Sequence, residues 1–283
     1  MRKSPPFAPV YLGAILVLSS AALAQTSADA AAGQSPTGVT PNLRFFQQFI
    51  TDADIVQKQW YGVELRWQNG AVPPIENADG FLLIPTIAIS PRKNLEVGGT
   101  VPYISYDLDN EIHGGPLDGF DGESGLGDLT VWGKYRFREG NPFVTAGGFL
   151  TLPTGSEDDG LGTGKVTPGV FGAFRVKAGD GYFLGDLAVR FNRDAHILNE
   201  SLDGKASTFI GGGYIWDAYE NWSFSGEITV ESERYSGASS DFRATAGAQF
   251  EGIKHSFLRG AASVGLSDGA PDFEIILGYA YTF

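Results

Sequence analysis

The sequence predicts an all-β chain, a transmembrane antiparallel β-barrel of about 12 strands of the outer-membrane type. Three observations predict it. Runs of about ten residues alternate between apolar and polar side chains, the period of a strand with one greasy face. The connections between them alternate between short and long, as the two rims of a membrane barrel do. The chain ends on EIILGYAYTF, an alternating aromatic stretch that stops on Phe283, where chain ends are ordinarily polar and frayed.

In chain order, Met1, Arg2 and Lys3 give a positive start, Tyr11 to Leu18 supply a short apolar run, and Ala22-Leu23-Ala24 precedes Gln25. That pattern predicts a secretory signal peptide over 1–24, because the apolar run is too short for a membrane span. Residues 25–55 are expected to form a flexible N-terminal periplasmic segment. Its first part is small and polar. Its later stretch NLRFFQQFI, Asn42 to Ile50, fits a short helix, an extra strand or a segment tucked into the interior.

The barrel is expected over 56–283, with strands near 56–68, 81–91, 95–107, 126–138, 142–153, 166–177, 181–193, 206–217, 221–232, 241–251, 256–266 and 273–283. Most are long enough to cross a bilayer at a tilt. Even-to-odd joins are brief: RKN, EGN, AGD, YEN and IKH. Odd-to-even joins include NGAVPPIENADG, DLDNEIHGGPLDGFDGESG, TGSEDDGLGTGK and NRDAHILNESLDGK. A soluble sandwich has no reason to keep that alternation through five cycles.

The faces agree. In the fourth strand Leu129, Val131, Gly133, Tyr135 and Phe137 oppose Asp128, Thr130, Trp132, Lys134 and Arg136. In the ninth, Trp222, Phe224, Gly226, Ile228 and Val230 oppose Ser223, Ser225, Glu227, Thr229 and Glu231. A soluble periplasmic barrel with its apolar faces inward is the competing arrangement. Aromatics at strand ends, such as Tyr61, Trp67, Phe183, Tyr214 and Trp216, favour the membrane. Each barrel strand shows lipid only half its residues, so the mean hydropathy stays close to zero.

Composition narrows the function classes. The chain has 39 Gly, where average usage gives roughly 20, and its aromatics reach 13%. Cys is 0, which removes disulfides and Cys-based metal sites. A formal charge of −13 argues against nucleic acid as a partner. Outer-membrane lipid and lipopolysaccharide are the expected surroundings.

The inward face is expected to carry Glu64, Glu96, Asp128, Asp186, Glu227, Glu231 and Glu274 against Arg66, Lys134, Arg136, Arg175, Arg190, Arg243 and Arg259. So even a set suggests pairing across strands, because unpaired charges in a narrow lumen are costly. Two readings stand: a salt-bridged wall that stiffens the barrel, and a charged lining that selects a solute. Trp132, Phe149, Phe171 and Phe209 share this face, either filling the interior or forming a path for apolar solutes.

Metal and catalytic chemistry find little support. Asp107, Asp109, Glu111, Asp118, Asp121 and Glu123 lie in one long join and Glu157, Asp158 and Asp159 in another, but their spacing matches no EF-hand loop, and a solvated acidic surface or a divalent-bridged contact with lipopolysaccharide is expected. His113, His196 and His255 fall in loops or a turn with no nucleophile motif beside them. No cofactor is expected.

Two stretches carry a resemblance. GESGLGDLTVWGKYRFREGNPFVTAGGFLTLPTGSEDDGLGTGK, Gly122 to Lys165, and VTPGVFGAFRVKAGDGYFLGDLAVRF after it resemble the outer-membrane proteins named for a MetA pathway of phenol degradation. The motifs are GLGD at Gly125 to Asp128, KYRF at Lys134 to Phe137, LPTG at Leu152 to Gly155 and LGTG at Leu161 to Gly164. The resemblance implies a barrel that moves hydrophobic or aromatic compounds across the outer membrane. The expected function is therefore a passive channel for small solutes, against a non-conducting structural or surface-interaction barrel. The terminal Phe283 also resembles the end signal read by barrel-assembly machinery, which makes that machinery an expected partner.

Overall fold

The computed structural model describes residues 53, 55, 59–72, 75–76, 78–108, 122–138, 140–198 and 200–283. The expected signal peptide over 1–24, the polar stretch after it and the Asn42 to Ile50 segment lie outside the described residues, as does most of the acidic join after Asp107. All described residues belong to the compact unit Pro41–Phe283.

Twelve strands make the wall: β1 Trp60–Asn69, β2 Ala78–Arg92, β3 in two segments Leu95–Thr100 and Tyr103–Leu108, β4 in two segments Glu123–Leu126 and Leu129–Arg138, β5 Phe143–Leu152, β6 Thr167–Ala178, β7 Gly181–Phe191, β8 Ala206–Tyr219, β9 Trp222–Glu231, β10 Asp241–Ile253, β11 Ser256–Gly265 and β12 Phe273–Thr282. Each pairs antiparallel with the next. The ring closes where β12 pairs β1, from Trp60 opposite Thr282 to Asn69 opposite Phe273. Closure leaves no open edge, and it gives the last strand its role. The breaks in β3 and β4 face each other: Pro102 has no N–H for the ladder, and its carbonyl accepts from Gly127 N at 2.8 Å.

Side chains alternate across this wall. Ile87, Val170, Leu187, Ile210, Ile228 and Leu277 are exposed on the outer face, while Glu64, Thr86, Lys134, Arg175, Glu227 and Glu274 are buried on the inner one. So continuous an apolar exterior requires lipid rather than water around it. Aromatic contacts gather where the strands meet their short turns. Tyr61 stacks on Tyr281 at 5.5 Å, Tyr281 meets Phe283 edge-on at 5.2 Å, and Phe183 lies 4.8 Å from Tyr214. This is the girdle that anchors a barrel at an interface.

The joint enrichment in glycine and aromatics has a local cause. Trp132 stands opposite Gly98, Phe149 opposite Gly169 and Phe171 opposite Gly147 in the ladders. A Cβ on these glycines would lie 2.4 Å, 2.1 Å and 2.5 Å from the facing ring. Each ring therefore lies flat across a bare backbone, which lets bulky groups fit inside a narrow wall.

Candidate functional site

The interior is where chemistry is placed, and period two delivers its side chains. On β1, Glu64, Arg66 and Gln68 point inward, and β12 adds Glu274 beside them. Arg66 holds Glu64 at 2.6 Å and Glu274 at 3.3 Å, Arg243 reaches Glu274 at 3.3 Å, and Gln68 donates to Glu274 Oε1 at 2.8 Å. Arg259 of β11 pairs with the second oxygen of Glu64, and Arg243 pairs with Asp241. Arg66 thus bridges the two carboxylates while Arg259 and Arg243 each hold one of them, which satisfies charges that burial would otherwise penalise by several kcal/mol each.

Elsewhere Lys134 pairs with Glu96 at 3.2 Å, and Trp60 Nε1 donates to the other Glu96 oxygen at 3.3 Å. Arg234 makes a two-point contact with Glu231 at 2.6 Å and 2.9 Å, with Ser207 donating at 3.0 Å and Arg190 Nε lying 3.6 Å away. Three cations cover aromatic faces: Arg136 over Phe143 at 5.6 Å, Arg175 over Tyr182 at 4.6 Å and Arg190 over Phe149 at 5.1 Å. Between the charges, hydroxyl pairs join neighbouring strands, Thr130 with Thr151 at 2.9 Å and Thr245 with Ser263 at 3.0 Å.

Of the residues named from the sequence, Glu64, Arg66, Glu96, Lys134, Arg136, Arg175, Asp186, Glu227, Glu231, Arg243 and Glu274 are buried, as are Trp132, Phe149, Phe171 and Phe209. Arg190 and Arg259 are partly buried as residues. Asp128 does different work. It sits at the gap in β4, and its carboxylate accepts from Gly155 N at 3.0 Å, Thr163 N at 2.9 Å and Thr163 Oγ1 at 3.2 Å. Thr154 completes the clasp, donating to Gly127 O at 3.0 Å and accepting from Leu129 N at 2.8 Å. The GLGD, LPTG and LGTG motifs are therefore one loop fastening at the long-loop end. An interrupted strand leaves amides without ladder partners, and the carboxylate turns to them.

Sequence reading missed Gln68, Asp241, Tyr182 and Arg234. Gln68 follows Arg66 at the strand period and Asp241 precedes Arg243 at the same spacing, so both were within reach. Arg234 lies in a join, where no period reports it. Ala53 was also unforeseen: it is buried, and Thr145 of β5 donates its hydroxyl to the Ala53 carbonyl on the inner side of the wall. Ile55 is buried as well.

The long joins carry a second apolar cluster. Val72 and Ile75 come from a small hairpin after β1, Leu161 from the join after β5, Ala195, Ile197 and Leu198 from a hairpin after β7, and Tyr235 from the join after β9. They pack on Ala78, Tyr106 and Leu108, which face inward from β2 and β3. Joins from opposite sides of the ring thereby meet over one mouth. Tyr106 ties the cap by donating to Asp159 O at 2.7 Å. Burial raises the Tyr235 phenol above its ordinary range, and the hydrogen bond from Lys205 holds the Glu233 carboxyl below its own.

Beneath the cap lies a cavity of about 150 Å³, lined by Leu82, Ile84 and Phe209 together with Arg66, Gln68, Thr229, Glu231, Arg234, Asp241 and Arg243. Its walls mix fixed charges with apolar surface. Among the described residues no group of three or more His, Asp or Glu is placed to hold a metal ion.

The fold is similar to that of an outer membrane channel from Pseudomonas putida F1, with a TM-score of 0.64 at 16% identity, over 82% of this chain and 98% of that one. Looser likenesses are to the KdgM porin, TM-score 0.49 at 10% identity over 78% of this chain and 99% of that one, and to the Ralstonia pickettii toluene transporter TbuX, 0.44 at 11% over 81% and 90%. No curated protein matches the sequence. The family model described as "Putative MetA-pathway of phenol degradation" matches residues 86–283, from the middle of β2 to the last residue, and the chain belongs to that family.

Proposed function

We propose that the protein is an outer-membrane channel through which small solutes, hydrophobic or aromatic compounds among them, pass down their gradient. One observation carries the reading. A closed wall with a lipid-compatible exterior encloses a cavity lined by both charged and apolar side chains. The family's description and the fold shared with a channel support the same reading. Lipid and lipopolysaccharide would surround the wall, and β12 ending at Phe283 would be the segment offered to the assembly machinery.

Liposome swelling and planar-bilayer conductance test it. Reconstituted barrels should admit solutes faster than empty liposomes, and permeability equal to the empty control removes the channel reading. A second reading, a sealed structural barrel, draws on the apolar cap and on Ala53 held against the inner wall. Substituting Arg136 or Glu227 separates the two. In an open pore the changes alter ion selectivity; in a sealed barrel they alter melting while conductance stays absent.

A further inference from the structure

Most inward carboxylates in this barrel are visibly compensated. Glu64, Glu96, Glu231 and Glu274 each hold an arginine or lysine at 2.6 to 3.3 Å. Asp186 differs from them. It is only 6% exposed at the middle of β7, and among the described residues both of its buried carboxylate oxygens lack a hydrogen-bond partner and it forms no ion pair. On the adjoining strand and its own, Arg175 lies over the Tyr182 ring and Arg190 over the Phe149 ring.

The wall beside it is floored by glycine. Asp186 stands opposite Gly211 of β8, and Gly211 in turn stands opposite Thr229 of β9, with Gly213 opposite Glu227 in the next inward position. Gly211 carries no side chain, and the Asp186 carboxylate lies across the floor that it leaves, with Thr229 on the far side of the ladder. A Cβ at Gly211 would lie 2.2 Å from Asp186 Oδ1 and 3.1 Å from Phe209 Cε1, so the carboxylate and the Phe209 ring edge meet above that floor. Phe209 and Thr229 also line the cavity beneath the cap, which gives the carboxylate an approach past the ring.

We propose that Asp186, lying over the Gly211 floor, is a binding site for a cationic group that enters from the cavity and is flanked by the Phe209 ring. A buried carboxylate without a partner lacks the compensation that Glu64, Glu96, Glu231 and Glu274 have, and a cation supplies it. An aromatic ring beside a carboxylate favours an organic ammonium over a bare ion, because the ring attracts the cation and accepts its carbon frame. The site adds a solute class to the passage proposed above. Its test reads binding without flux, so each can fail while the other stands.

The test is a thermal melt of the full barrel in detergent, titrated with benzylammonium chloride, with benzyl alcohol as the neutral analogue and rubidium chloride as the inorganic cation. The wild type should show a saturable rise in melting temperature with benzylammonium. Asp186→Asn should weaken the apparent affinity at least tenfold, and Gly211→Ala, whose Cβ displaces the carboxylate from its floor and keeps the charge, at least fivefold. Boiled and unboiled gel migration shows that each variant is a folded barrel. Rises with both cations support a general cation site, and a rise with benzylammonium alone supports an ammonium site that uses the ring. No saturable rise, an equal rise with benzyl alcohol, or a rise that persists in both variants overturns the proposal.

Discussion

Along the wall, each strand repeats one rule, lipid-facing side chain then interior side chain, and ladder hydrogen bonds hold the register from strand to strand. Among the long joins no such rule operates. Their cap is held by single apolar residues, Val72, Leu161, Ile197 and Tyr235, that come from four separate joins. The wall is therefore robust to local change because its energy is spread over every strand. The cap depends on a few contacts, so it is the part of the molecule that can loosen without the rest unfolding.

The largest expected effect lies inside the wall. Glu274 sits between Arg66 and Arg243, and Glu274→Ala leaves both short of a partner within a buried network. Removing one member of such a network costs about 3–5 kcal/mol. Urea unfolding in lipid vesicles, followed by tryptophan fluorescence, should show a loss of that size. A loss below about 1 kcal/mol, the range of exposed pairs, means that water screens these charges and that the interior is wider than the pairing implies.

The next effect uses the opposite face of the same strand. Leu277 is 55% exposed and points outward. Leu277→Arg should cost about 2–4 kcal/mol in a bilayer, the penalty for a cation near the lipid midplane. The same substitution on a barrel surrounded by water would be close to neutral. Comparing the variant's stability in vesicles with that of Glu274→Ala thus measures how strictly one strand separates lipid from interior.

That strictness is why so much of the wall was legible. Period two places Glu64, Arg66 and Glu274 on one face whatever the details of the loops, and a closed ring follows once alternating short and long joins keep the strands antiparallel. Even Ile276, out of pattern with its neighbours, faces inward and is fully buried. Pairing partners were less legible. Which guanidinium reaches Glu274 depends on strand stagger, and stagger is set by the register of two remote segments. The cap was hidden for a different reason. Val72, Ile75 and Leu198 sit in joins rich in Gly, Asp and Asn, and single apolar residues there give no period to detect. Asp128 shows the limit most clearly, since strand phase alone assigns it to the wall and only the break in β4 turns it toward Gly155 and Thr163.

The smallest effect belongs to the cap, and it bears most directly on passage. Tyr106→Phe keeps the ring among Ile75, Leu161 and Leu198 and removes only the hydrogen bond to Asp159 O. Its cost should be about 1 kcal/mol, too little to shift the melting of the wall noticeably. Because that bond ties a join to the inner side of β3, its loss should raise the fraction of time the cap is loosened about fivefold, by the same energy. Solute entry in liposome swelling should then rise while gel migration and wall stability stay unchanged. If entry is limited deeper, at Arg66, Arg243 and Phe209 around the cavity, swelling will not respond to Tyr106→Phe, and the control of passage lies in the wall rather than in the cap.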